Sequence, residues 1–286
     1  MQDDENNLDS ILVALDGSQS SRAAASLATE IAYRENLLIH GLYVVDSVLV
    51  MDEYVSLEEE QGIHQPEQSG SSERASLLEA QGDTELRWLE ERCLIKGVPV
   101  KTDLMFGSMP DLIISRAQTA RLLTLGRKGP SHAHDATHLG HNLRNVAHHV
   151  PVPLLIGGDE LAPIHRMLLA YDGSVPARHA MFWAGILQRI WQSHLLVMSI
   201  AGEDASSRWL EEMEEDVGES DLVNYRFIGR QGDPATQMAL TIIDEKADLV
   251  IMGGHQHSAL VEWFTGSTLD RVLSETQVPI FVTGKQ

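Results

Sequence analysis

Two stretches of this sequence close an apolar run with the same three residues: Ile11-Leu-Val-Ala-Leu-Asp-Gly-Ser18 and Met167-Leu-Leu-Ala-Tyr-Asp-Gly-Ser174. A carboxylate at such a strand end, Asp16 or Asp172, accepts hydrogen bonds from an amino group or a ribose hydroxyl. Later apolar runs lead into glycine-rich segments. One is Leu125-Gly-Arg-Lys-Gly129, followed by Gly140-His-Asn142; the other is Met252-Gly-Gly-His-Gln-His-Ser258, followed by Gly266-Ser-Thr268. Glycines let backbone amides approach a phosphate, and a helix start supplies unpaired N–H donors at the positive end of its dipole. Ser267 and Thr268 add hydroxyl donors. Lys128 adds charge, and His141 takes the place of the hydroxyl in the earlier segment. These residue types in this order cradle a phosphorylated ligand.

The elements that must position them come in two copies. Asp16 falls on Asp172 at an offset of 156, and the match continues into an amphipathic helix. Ala24, Leu27, Ala28 and Ile31, at i, i+3, i+4 and i+7, fall on Ala180, Trp183, Ala184 and Leu187. A closing block also repeats: Gly140-His-Asn-Leu-Arg-Asn-Val parallels Gly266-Ser-Thr-Leu-Asp-Arg-Val at an offset of 126. The first copy therefore carries 30 extra residues, placed mostly in a polar surface insertion at 46–72. Short apolar strands are expected at 37–45, 98–105 and 122–125, then at 195–201, 222–228 and 249–252, alternating with helical stretches. That alternation implies α/β architecture, a doubly wound parallel sheet with helices on both faces. Ligands of such sheets bind beyond the carboxyl ends of the strands, where strand order reverses. The predicted domains are residues 1–159, with the insertion, and residues 160–286.

Composition narrows the partners. The 286 residues hold 42 acidic against 21 basic side chains, a formal charge of −21, with 43% hydrophobic and 22% charged residues. Such a chain folds, and its field repels nucleic acid and anionic membrane surfaces, while local amides can still bind a small nucleotide. The single cysteine, Cys93, sits on an expected helix over 86–96 and reads as packing. Residues 1–7 lack the pattern of an export signal and no run of about 18 apolar residues occurs, so a cytoplasmic location is expected. Histidines cluster at 132, 134, 138, 141, 148 and 149; His138 and His141 share a helix spacing that zinc or nickel can use. Without carboxylate or cysteine partners in a tighter pattern they read as surface or packing residues, and no metal site is expected.

With these residues in view, both halves resemble the universal stress protein family, whose nucleotide-binding branch carries Gly-x2-Gly-x9-Gly-Ser/Thr after the fourth strand. The second copy reads Gly253-x2-Gln256-x9-Gly266-Ser267, and the first Gly126-x2-Gly129-x10-Gly140-His141. The resemblance implies two tandem Rossmann-like domains, paired through their last strands as an intramolecular pseudo-dimer. It implies ATP, or ADP or AMP, with magnesium, and a role in stress response. In the second copy the implied contacts are Ala170, Asp172, Ile200, Met252, Gly253, His257, Gly266, Ser267 and Thr268, and this site is favoured. In the first they are Ala14, Asp16, Val44, Gly126, Gly129, Gly140 and Asn142. No Gly-x4-Gly-Lys-Ser/Thr, early Gly-x-Gly-x-x-Gly or His-Glu-x-x-His occurs, so binding with at most slow ATP hydrolysis is expected, not an enzyme. The Gln256 and His141 departures leave an alternative open: a nucleotide-free interaction or small-ligand and metal-sensing module. A homodimer of the tandem chain is the expected assembly.

Overall fold

The computed structural model describes residues 9–46, 68–127, 141–200, 224–253 and 276–283. The first half contains β1 (Ser10–Leu15), α1 (Gln19–Glu35), β2 (Leu38–Asp46), α2 (Gln68–Lys96), β3 (Val100–Gly107), α3 (Met109–Ala117), β4 (Leu122–Leu125), α4 (His141–His149) and β5 (Leu154–Ile156). The second contains β6 (Arg166–Ala170), α5 (Val175–Trp191), β7 (His194–Ile200), β8 (Tyr225–Arg230), α6 (Pro234–Glu245), β9 (Leu249–Met252) and β10 (Ile280–Val282).

The described strands form one sheet in the order β3-β2-β1-β4-β5-β10-β9-β6-β7-β8. Within each half the pairing is parallel. The halves meet where β5 runs antiparallel to β10, with Leu155 opposite Phe281. This seam covers the edge that either half alone would expose, as the expected pseudo-dimer requires.

Alternation along the strands fills two cores. Ile11, Val13 and Leu15 belong to the core that α1, α2 and α5 share, whereas Leu12 and Ala14 belong to the one that α3, α4 and α6 share. Each core runs unbroken through both halves. At the seam Trp183 of α5 packs on Phe281, with ring centroids 5.2 Å apart, and the Arg121 guanidinium lies over the Trp183 ring.

The repeat holds in detail. Ala14 pairs with Leu42 in β2, and its counterpart Ala170 pairs with Met198 in β7, both at the offset of 156. Helices α1 and α5 start from serine caps, Ser18 and Ser174, and end on left-handed residues, Asn36 and Gln192.

One expectation needs correcting. Asp46 is the last residue of β2, and residues 68–72 are already helical within α2, so the polar segment outside regular structure is shorter than 46–72. Glycine and serine there suggested a loop, but each costs a helix only about 0.5–1 kcal/mol, which a 29-residue helix anchored by buried Leu86, Leu89 and Cys93 absorbs. The same anchoring extends the helix expected over 86–96 toward its N-terminus. Residues 47–67 lie outside the described residues. Among the described residues no helix is long and apolar enough to cross a membrane.

Candidate functional site

In both halves the Asp-Gly-Ser turn is built by its own side chains. Asp16 Oδ1 accepts from the Ser18 N–H at 2.9 Å, and Asp172 Oδ1 accepts from the Ser174 N–H at 3.0 Å. Between them Gly17 and Gly173 adopt φ of +83° and +74°, a region that L side chains avoid. Ser18 Oγ then accepts from Ser21 N–H at 3.1 Å and Ser174 Oγ from Ala177 N–H at 3.3 Å, opening α1 and α5. The aspartates thus have a structural task that engages one carboxylate oxygen each. The turn sets that carboxylate at the carboxyl end of the first strand, beside the helix start.

The glycine after the fourth strand arrives at the same place. A methyl group on Gly126 would stand 2.9 Å from Ser18 Oγ and from Ser21 N; one on Gly253 would stand 2.7 Å from the Pro176 carbonyl carbon and 2.9 Å from Ala177 N. Only a residue without Cβ lets the two chain segments touch so closely. Ala14 and Ala170 are buried at or next to their strand ends, and Met252 closes β9. Val44 and Ile200, at or near the ends of β2 and β7, are half-buried against the core that holds Ala14, Ala170 and Met252. In each half an alanine, an aspartate, an aliphatic side chain and a glycine therefore converge at the switch point between first and fourth strands. The geometry suits a flat apolar group against the alanine and aliphatic residue, with polar atoms toward the turn.

The comparisons with known proteins bear on this arrangement. A model of the universal stress protein family matches residues 7–156 and, separately, 163–284. The chain belongs to the universal stress protein family. Over 165 residues it is 27% identical to a universal stress protein of Synechocystis sp., a match that spans 56% of this chain and 56% of that relative. The crystal structure of a universal stress protein from Archaeoglobus fulgidus DSM 4304 aligns over 96% of both chains with a TM-score of 0.73 at 19% identity. The cytoplasmic domain of a prokaryotic cation chloride cotransporter aligns over 96% of this chain and 95% of its own, with a TM-score of 0.54 at 13% identity. At such identities the two structures share the fold alone.

Several site residues expected from the family motif lie outside the described residues: Gly129, Gly140, His257, Gly266, Ser267 and Thr268, together with Lys128, His138, His255 and Gln256. Asn142 and His141 fall in the first turn of α4, with side chains outside the description. Among the described residues no group of three metal-ligating side chains gathers. His149 instead lies 2.8 Å, through Nδ1, from the Asn145 carbonyl.

Burial, with help from the Asp16 carboxylate, pushes the Tyr43 phenol up to about 12. Cys93 is fully buried with Thr29 Oγ1 at 4.0 Å, and burial raises its thiol, in keeping with packing over chemistry.

Sequence reasoning overlooked Ser20, Gln81 and Arg127. Gln81 of α2 lies against Gly17, where a methyl group would stand 2.2 Å from its Nε2. Ser20 Oγ accepts from the Arg127 N–H at 3.0 Å, and the Arg127 guanidinium donates to carbonyls of the second half, at Thr276 and Val278. Aligning the two copies residue by residue would have marked two of these positions, because Ser20 falls on Pro176 and Arg127 on Gly254.

Proposed function

We propose that this universal stress protein binds an adenine nucleotide, ATP or its ADP or AMP form with magnesium, at the strand ends of its second half, and acts through occupancy instead of turnover. The observation that carries the reading is the convergence of Ala170, Asp172, Ile200 and Gly253 at the switch point, beside the start of α5. Ala170 and Ile200 offer an apolar bed for adenine, and the free end of Asp172 suits an amino group or ribose hydroxyl. Gly253 leads into the segment where His257, Gly266, Ser267 and Thr268 would take the phosphates. Ala14, Asp16, Val44, Gly126, Gly129, Gly140 and Asn142 are the matching set in the first half.

The family matches and the tandem architecture support the reading. The sequence carries no Gly-x4-Gly-Lys-Ser/Thr loop, so in this reading hydrolysis is slow or absent. We assign the protein to the cytoplasm, without nucleic-acid or membrane partners, and to a homodimer of tandem chains.

The test is to denature the purified protein, identify any released nucleotide by chromatography, and repeat this with Ser267→Ala. Stoichiometric adenine nucleotide that the variant lacks supports the second-half site. No nucleotide, with no thermal stabilisation on adding ATP and magnesium, sinks the proposal in favour of an interaction module.

A further inference from the structure

We infer that the glycine-rich turn of the first half is a latch that joins the two halves and takes no nucleotide, so that each chain binds a single nucleotide. The inference rests on the nucleotide reading above for its stoichiometry, and on the seam geometry for the latch.

Gly126-Arg127 is the start of the segment that would have to open toward a phosphate. Its amide is already engaged: the Arg127 N–H donates to Ser20 Oγ, which stands 3.1 Å from the capping Ser18 Oγ. Its side chain points the other way. The guanidinium, in a residue only 2% exposed, crosses the seam and donates through one terminal nitrogen to the Thr276 carbonyl and through the other to that of Val278. Between these two, the Gln277 carbonyl accepts from the Asp159 N–H, just beyond β5, at 3.0 Å. Three successive carbonyls of the second half are thus held from the first.

A planar fork matches two carbonyls spaced in this way; a lysine ammonium is a point charge and does not. Burial draws the guanidinium down to about 10 while the Asp159 carboxylate opposes that shift, and it still carries its charge at neutral pH. Moving Arg127 to face a phosphate would strip the seam of both bonds.

The repeat shows that the device is one-sided. At the position of Ser20 the second half has Pro176, which has no hydroxyl, and at the position of Arg127 it has Gly254, which has no side chain. The second copy therefore lacks both side chains of the latch. Two further differences agree. The first copy has one residue more between its glycines, and His141 replaces the hydroxyl that the second copy supplies as Ser267.

Two arms of one experiment test this on the full chain. In the first, ATP with magnesium is titrated calorimetrically into nucleotide-stripped wild type, Ser267→Ala and Arg127→Met. One equivalent is expected for wild type and Arg127→Met, and none for Ser267→Ala. Two equivalents, or binding that survives Ser267→Ala, overturns the inference and leaves the nucleotide reading standing. No binding by wild type overturns that reading and the stoichiometry with it. In the second arm, Arg127→Met is expected to raise the unfolding constant about a hundredfold, from two lost charge-assisted bonds, with Arg127→Lys in between. An unchanged unfolding constant overturns the latch whatever the first arm finds.

Discussion

Gly253→Ala separates the two reasons a glycine can stand after the fourth strand. The new methyl would lie 2.7 Å from the Pro176 carbonyl carbon, 2.8 Å from Pro176 Cβ and 2.9 Å from Ala177 N. These are backbone and ring atoms of the first turn of α5, not the tip of a side chain that can swing aside. That turn is pinned in turn, since Ala177, Ala180 and Ala184 are fully buried against the sheet. Relief requires the helix start to retreat by several tenths of an ångström, and overpacking of this kind costs about 3 kcal/mol. For a unit of this size each kcal/mol lowers Tm by roughly 2–4 °C, so the expected drop is roughly 6–12 °C. Gly97→Ala is the control: Gly97 has φ of +72° and open space around it, so the substitution costs only backbone strain of about 1–2 kcal/mol. Thermal unfolding followed by circular dichroism, without nucleotide, should rank Gly253→Ala well below Gly97→Ala. If Gly253→Ala unfolds with wild type yet loses nucleotide, the glycine serves the ligand and the packing argument is wrong.

Three further outcomes follow from the described side chains. Arg22 holds the Glu85 carboxylate, whose side chain is only 5% exposed, by two bonds of 2.8 and 2.7 Å; Arg22→Met should cost about 3 kcal/mol in chemical denaturation by stranding that charge. Lys96→Met, at the more exposed Glu30, should cost under about 1 kcal/mol, and equal losses would contradict the burial argument. His40, bonded to Asp103 at 2.8 Å with Lys101 and Arg116 nearby, has its pKa lowered from 6.5 chiefly by burial. The unfolded chain then takes the proton more readily, so this group's contribution is complete above 6.5 and fades as pH falls toward the depressed value. His40→Leu, which copies Leu196 of the second half, should flatten the fall in Tm as pH drops below the ordinary 6.5; an unaltered slope would show that His40 is not responsible. Cys93, buried with its thiol raised, should react with a thiol reagent only at the rate of unfolding, and fast native labelling would refute its burial.

Much of the fold was legible because repetition carries information that single elements do not. The strands at 122–125 and 249–252 agree with their predicted bounds, since both are short apolar runs stopped by glycine. The start of α2 was missed because serine and glycine at 69–72 look like a loop locally, whereas the helix is fixed by burial farther along at Leu86 and Leu89. Asp16 and Asp172 were legible as strand-end carboxylates, but the Asx turns they close went unread, although Asp-Gly-Ser contains every group those turns use.

The seam shows what a search for matches leaves out. Looking for the family motif in each copy scores Gly126 and Gly253 as equivalent and passes over the residue that follows. The difference lies there, where an arginine in one copy meets a glycine in the other, and again where Ser20 meets Pro176. In a tandem repeat, similarity reports what both copies need to fold. A departure reports what one copy does alone, because a chain with two equivalent halves can give one of them a new task while the other keeps the old one. Arg127 could not be assigned from sequence, since its partners are main-chain carbonyls about 150 residues away, and carbonyls have no residue type to read. The asymmetry itself was visible, and it separates the two halves more sharply than either copy's distance from the motif.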